Sequence, residues 1–230
     1  MNESFNKCLE CRIKSTAVSV LNTDELHLLN SNCTTRAVSR GDIILKEGDP
    51  ARFVVYIREG FVKQYKRHAG GEEQIISITK KGSYLGLHNI VESTRFNYVS
   101  AKAIKGTSVC FINKECFNEL LKLNGEFASR VISCICEDEV SFVNRLLNNQ
   151  QQQLYGRLAE ALLYFRHVVY SENPFVLDMT KAELASFIGS SRESVSRALK
   201  DFQDHGHIRI DKKLIDIREE VKLLLLCKKG

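Results

Sequence analysis

Residues 179–217 read MTKAELASFIGSSRESVSRALKDFQDHGHIRIDKKLIDI. Thr180 stands three residues before Glu183, a capping box that starts a helix at Lys181. Leu184, Ala185 and Ile188 recur on one side of that helix, and Gly189 supplies the turn that ends it. Ser190 or Ser191 caps a second helix running to about Asp204, with Val195, Ala198, Leu199 and Phe202 as its buried face. Two short helices joined through a glycine turn are a helix-turn-helix.

The other side of the second helix carries Arg192, Glu193, Ser196, Arg197 and Lys200. These side chains suit a major groove. Arginine donates two parallel bonds to guanine, glutamate accepts from cytosine N4, and serine serves either way. Arg192, Glu193, Ser196 and Arg197 are therefore the candidate base readers, and they lie toward the end of the helix that touches base edges. Ser190, Ser191, Ser194 and Lys200 are candidate phosphate contacts. Past Gly206, two β-rich runs flank Asp211-Lys212-Lys213. This is a hairpin wing whose tip lysines, Lys212 and Lys213, are placed for phosphate. The bland alternative is a helix pair with a charged solvent face. Capping, turn, polar-face chemistry and wing agree against it. From Lys181 to Lys213 the net charge is only +2, so charge alone gives modest affinity and binding as a dimer is expected.

Working back toward the N-terminus, Leu154–Tyr170 reads as a helix with Leu158, Ala161, Leu162, Phe165 and Val169 on one face. Gln150–Gln153 is a polar run where a hinge is placed. Before it, a long helix over about 125–149 repeats Ile132, Ile135, Glu139, Phe142, Leu146 and Asn149 at three- and four-residue steps. That spacing is a coiled-coil seam and makes a homodimer the expected state; packing on its own domain is the alternative. Between Cys33 and Ile112 short β-rich runs alternate with glycines, the texture of an antiparallel barrel or sandwich. A short helix capped at Thr23 precedes them. The expected organisation is a tail and β-roll sensor over 1–124, a dimerisation helix and hinge over 125–150, and a winged helix-turn-helix over 151–230.

The 230 residues carry 33 Lys and Arg against 28 Asp and Glu, a net +5, which permits a nucleic-acid partner without requiring one. A hydrophobic fraction of 43% excludes a disordered chain. No apolar run reaches the roughly 18 residues of a membrane span, and no secretory signal opens the chain. Eight cysteines without a leader point to a reducing cytoplasm. No phosphate-binding loop, nucleophile elbow or dinucleotide fingerprint is present, so an enzyme is not expected. Only His68 and His88 lie in the roll, too few for a histidine-rich metalloenzyme. His205 and His207 have no third ligand nearby and read as structural.

The stretch 179–217 resembles the DNA-binding domain of the cyclic-AMP receptor protein/FNR (Crp/Fnr) family of bacterial transcription regulators. RGDIILKEGD at 40–49 and VYIREGFVKQY at 55–65 resemble the opening of the family's β-roll. The resemblance implies an α+β chain: a cyclic-nucleotide-binding-like antiparallel β-roll, a long dimer helix and a winged helix-turn-helix. It implies a homodimer on palindromic double-stranded DNA with a TGA-like core in each half-site; RNA polymerase is a further expected partner. Arg192, Glu193 and Arg197 match the base readers of the cyclic-AMP receptor branch; Glu193, Ser196 and Arg197 match the Glu-x-x-Ser-Arg of the FNR branch. Thr180, Lys181, Ser191 and Ser194 match phosphate-contacting positions. The other reading, from a different class, is a ligand-binding module whose winged helix docks protein.

Cyclic-nucleotide-binding members present a Gly-Glu-Leu for the ribose and an arginine for the cyclic phosphate. Here Leu85-Gly86-Leu87-His88 and Val99-Ser100 stand at those places. Both charged partners are missing, so cyclic AMP is not the expected effector. Leu85, Gly86, Leu87, His88 and Ser100 remain the candidates for a pocket of another effector. Cysteine is the rival signal. In the FNR branch an N-terminal cysteine group and one roll cysteine hold an iron–sulfur cluster. Cys8 and Cys11 resemble two of that group, and Cys110 resembles the roll cysteine. The next tail cysteine is absent and Cys33 is the remaining candidate. Zinc, a thiol redox pair, and plain packing of Cys33 and Cys110 stay open. Cys116, Cys134, Cys136 and Cys227 read as packing.

Overall fold

The computed structural model describes residues 8, 11, 13–68 and 70–229, with the side chains of 149–151 and 229 aside. It divides into two compact units, residues 1–66 with 78–140 and residues 67–77 with 141–230. The division falls inside the long helix, between Val140 and Ser141.

In the first unit a 3-10 turn at Val18–Val20 leads to helix α1, Thr23–Ser31. Its cap is Asn22 and not Thr23. The Asn22 side chain accepts from the Glu25 amide at 3.0 Å, and the Glu25 carboxylate accepts from the Asn22 amide at 2.8 Å. Asn22, not Thr23, has a glutamate three residues on, and that spacing sets the cap. Eight strands follow, of which β5 belongs mostly to the second unit: β1 (Cys33–Val38), β2 (Ile43–Leu45), β3 (Phe53–Glu59), β4 (Phe61–Arg67), β5 (Glu73–Lys80), β6 (Tyr84–Leu85), β7 (Ser100–Ala103) and β8 (Thr107–Asn113). They form two sheets, ordered β1-β8-β3-β6 and β2-β7-β4-β5, and the registered strand pairs are antiparallel. Gly60 makes the β3–β4 turn alone at φ 91°, and a Cβ there would lie 2.5 Å from Thr107 Oγ1, so only glycine fits.

Strand β3 is buried on both faces, which explains its unbroken apolar run. Val55 and Ile57 face the roll interior with Leu45, Val62, Leu85, Ala101, Ala103 and Val109. Val54 and Tyr56 point the other way, into a second core with Ile112, Leu26, Leu29 and Ala17. Helices α2 (Lys114–Leu123) and α3 (Gly125–Gln151) close that layer with Phe117, Leu120, Phe127 and Val131.

Helix α3 corrects the seam in part. Ile135 packs against the first unit's own core and is not on the outer side. Ile132 is 59% exposed, and Phe142, Val143 and Leu146 are also exposed, as is Glu139. Starting at Ile132, a four-then-three step runs through Cys136, Glu139, Val143 and Leu146. Core contacts at Phe127 and Val131 select this register over the three-then-four one. Cys136, expected to pack, is exposed on that side. The side chain of Asn149 lies outside the described residues.

The second unit contains α4 (Leu154–Tyr164), a π-helical turn at Phe165–Tyr170, and strand β9 (Phe175–Val176). Then come α5 (Lys181–Ile188), α6 (Arg192–Asp204), β10 (Ile208–Asp211), β11 (Leu214–Ile217) and α7 (Glu220–Lys229). The order in its sheet is β10-β11-β9. Helix α7 follows the wing and packs Leu223, fully buried, with α4. Residues 73–75 meet α5: the Ser186 hydroxyl donates to the Glu73 carbonyl at 2.5 Å and accepts from the Ile75 amide at 2.9 Å. No helix among the described residues is long and apolar enough to cross a membrane.

Candidate nucleic-acid interface and thiol cluster

The turn between α5 and α6 is built from backbone geometry. Gly189 adopts φ 65°, and the Ser190 amide returns to the Ala185 carbonyl at 2.9 Å. Val195, Ala198, Leu199 and Phe202 anchor α6 from below. Arg192, Glu193, Ser196 and Arg197 then fall within a face of about 140°, because each residue advances about 100° around a helix. Arg192, Glu193, Arg197 and Lys200 are exposed and Ser196 is half-buried. Among the described residues no ion pair holds Arg192, Arg197 or Lys200. The Tyr155 hydroxyl from α4 donates to the Asp201 carboxylate, one turn beyond Arg197, and the Arg197 charge reaches that phenol. The tyrosine lies outside the helix-turn-helix sequence, so the motif gave no signal for it.

The phosphate candidates divide. Lys181, Lys200, Lys212 and Lys213 are exposed, the last two at the wing turn, where Lys212 adopts φ 54°. Thr180 has both donors engaged: its amide and its hydroxyl go to the Glu183 carboxylate at 2.8 and 3.0 Å. Ser191 caps α6, accepting from the Ser194 amide at 3.1 Å and donating to the Ser194 hydroxyl at 2.9 Å. Ser194 is half-buried. Ser190 is half-buried.

The five effector-pocket candidates do not gather around one described cavity. Leu85 is fully buried in the roll interior, and Leu87 packs in the other core. Gly86 adopts φ 74° beside the Asn89 amide, and the Ser100 hydroxyl accepts from the Glu47 amide at 3.0 Å. His88 rests edge-on to Tyr98, ring centres 6.0 Å apart. A cavity of about 680 Å³ lies elsewhere, between Arg36, Lys46, Arg52, Phe53, Asn97 and Phe111.

The cysteines converge more closely. On β1, β8 and β3, Cys33 pairs with Ile112, and Cys110 lies between Thr35 and Tyr56, so Cys33 and Cys110 share one face. The Cys8 amide donates to Asn30 Oδ1 at 3.0 Å. The Cys33 thiol lies near both Cys8 and Cys110. Cys33 holds the Cys8 thiol below its ordinary pKa, aided by the charges of Lys14 and Arg58 and opposed by burial and Cys110. The same neighbours, with burial, push Cys33 up. Cys11 lies within electrostatic reach of Tyr56, whose phenol burial raises to about 12. Among the described residues no three His, Cys, Asp or Glu side chains stand at ready metal-ligand spacing. Cys8, Cys33 and Cys110 lie near one another and Cys11 lies near Tyr56, a convergence of thiols without a formed metal site. Cys116, Cys134 and Cys227 are buried or half-buried, as expected for packing.

Residues 156–226 match the Crp-like helix-turn-helix domain family, and residues 35–124 match the cyclic nucleotide-binding domain family. The chain is 26% identical to electron transport regulator A of Shewanella oneidensis over 226 residues, covering 96% of this chain and 90% of that protein. It is 25% identical to the anaerobic regulatory protein of Haemophilus influenzae, covering 92% of this chain and 84% of that protein. Among solved structures, FixK2 from Bradyrhizobium japonicum shares the fold with a TM-score of 0.77 at 22% identity, covering 84% of this chain and 96% of that one. With a cyclic nucleotide-binding domain followed by a Crp-like helix-turn-helix, this chain belongs to the Crp/Fnr family of transcription regulators.

Proposed function

We propose that two copies of this chain bind a palindromic duplex, each placing α6 in the major groove, and that the thiol group of the first unit is the sensing element. The exposed Arg192, Glu193, Ser196 and Arg197 face carries the first part. Two guanidinium groups and one carboxylate on one face select G·C pairs, the arginines donating to guanine and Glu193 accepting from cytosine. Lys181, Lys200, Lys212, Lys213 and Ser194 set the register on phosphate. The chain then acts on transcription through RNA polymerase, in a cytoplasm that keeps its thiols reduced.

The convergence of Cys8, Cys33 and Cys110 at one face of β1 and β8 carries the second part. Cys33 takes the place of the absent third tail cysteine. An iron–sulfur cluster held there supplies an oxygen-labile redox centre. The names of two relatives as anaerobic regulatory proteins support this reading. The chain's own part is to hold Cys8 near Cys33 and Cys110, through Asn30 and the core that Cys8 shares with Ala17 and Val18.

The test is purification without oxygen, followed by visible absorption, iron and sulfide assay, and operator gel shift before and after air. A band that bleaches in air, with a parallel change in operator affinity, is the expected result. Colourless, metal-free protein with unchanged DNA binding in air overturns the sensing half and leaves the DNA half standing.

A further inference from the structure

Strand pairing puts a cation on the inward face of the roll. Arg36 pairs with Val109, and Phe111 pairs with Val55. Paired residues share a face, so Arg36, Val38, Phe111 and Phe53 stand on the side of Val55 and Ile57. Strand β1 is an edge of that sheet, and β2 is an edge of the other. Residues of both edges line the cavity of about 680 Å³, a size that suits a small molecule. The Arg36 guanidinium rests 5.1 Å from the centre of the Phe111 ring, and Phe53 meets that ring edge-on at 5.6 Å. Lys46 and Arg52 bring two further cations to the lining. Among the described residues no carboxylate pairs with Arg36, Lys46 or Arg52.

The cavity also has a buried polar wall. Asn97 lines it and is 6% exposed. Its Oδ1 accepts from the fully buried Asn89 at 2.8 Å, and its Nδ2 donates to the Lys46 carbonyl at 3.1 Å. A side-chain amide nitrogen carries two protons, and the second on Asn97 is uncommitted among the described residues. The acidic residues of the lining are Asp42, whose carboxylate accepts from the Ser39 amide at 2.7 Å, and Asp49. Three cations against two carboxylates leave one positive charge, which a monoanion neutralises. A guanidinium fork matches a planar carboxylate, and Ile43, Phe53 and Phe111 offer apolar surface to a flat ring. We propose that this cavity binds a small aromatic monocarboxylate, with Arg36 meeting the carboxylate and the ring lying against Phe53 and Ile43. Cys33 and Cys110 stand on the other face of β1 and β8, so the site does not depend on the thiols.

Calorimetric titration of the reduced full-length protein with 2-naphthoate tests it, beside the neutral 2-naphthamide. Saturable binding of naphthoate is expected, with the amide bound about tenfold or more weakly because its charge-assisted hydrogen bond is lost. R36M is expected to lose naphthoate affinity by about tenfold or more for the same reason. R40M removes an equal charge from the β1–β2 turn, outside the lining, and is expected to bind as wild type. Both arginines are exposed, so neither substitution removes core packing. A circular dichroism melt checks that both variants fold; if R36M does not, R52M takes its place with the same expectation. Wild-type protein that does not bind naphthoate, or binds naphthamide as tightly, overturns the site. Equal binding by R36M and R40M also overturns it, and leaves Arg36 as an inward charge that keeps edge strand β1 from pairing with another chain.

Discussion

Arg197 is exposed on α6 one turn before Asp201, whose carboxylate is occupied by the Tyr155 hydroxyl. Asp201 is thus committed to the scaffold, and Arg197 is left to meet a ligand. Replacing it with alanine removes a bidentate donor without touching Val195, Ala198, Leu199 or Phe202, the residues that hold the helix. R197A is expected to lose about 1–3 kcal/mol of discrimination between the operator and a site altered at the guanine it reads. Thermal stability should stay within about 0.5 kcal/mol of wild type, as for surface changes generally. Competition gel shifts against paired duplexes measure the first quantity and a melt the second. Undiminished discrimination would remove Arg197 from the base-reading set. The residue types of this face were legible because major-groove chemistry is a property of the side chains and their helical spacing. The engagement of Thr180 by Glu183 shows where such reading stops: one hydroxyl can cap a helix or face a phosphate, and its partners decide.

At the scale of elements, the π-helical turn after α4 ends on Tyr170, which stacks on Phe175 with ring centres 5.2 Å apart. Its hydroxyl accepts from the Asp178 amide at 3.1 Å. Burial raises its pKa from 10.0 to about 12, partly offset by that bond. The folded state therefore holds the phenol proton more tightly than the unfolded chain. The resulting stabilisation is complete below pH 10 and is lost as pH rises through about 12. Urea midpoints are expected to fall across that window in wild type and to fall less steeply in Y170F; equal slopes would assign the alkaline loss to other groups. Elements with local signals were legible: the capping boxes, the Gly189 turn, the wing and the polar break before α4. Strands β1, β6 and β9 were not, because β1 alternates exposed and half-buried polar residues and the other two span two residues each. Helix α7 hid in a run of four leucines with no helical alternation. The thiol cluster needed the β1–β8 register, which brings Cys33 toward Cys110 across 77 positions of sequence.

For the whole molecule the decisive quantity is the number of recognition helices that act together. One α6 with its wing carries little net charge, so a single copy gains little from phosphate neutralisation. Two copies joined through α3 make the second half-site contact intramolecular, which multiplies affinity by about 10²–10⁴ without new contacts. The exposed apolar side of α3 is the surface that joins them on this proposal, with Val143 and Leu146 at its second-unit end. Leu146 is 46% exposed, so glutamate there costs one copy little. In a dimer it would set two carboxylates face to face in an apolar seam. L146E is expected to sediment as a monomer at concentrations where wild type is a dimer. Its operator affinity should drop by about two orders of magnitude, while affinity for an isolated half-site stays near that of wild type. The salt dependence should fall together with the affinity, since a monomer neutralises half as many phosphates. An L146E protein that remains dimeric and binds the full operator as wild type would place the joining surface elsewhere on the chain. A monomer that still binds the full operator tightly would show instead that one recognition helix suffices, and the argument from small net charge would fail.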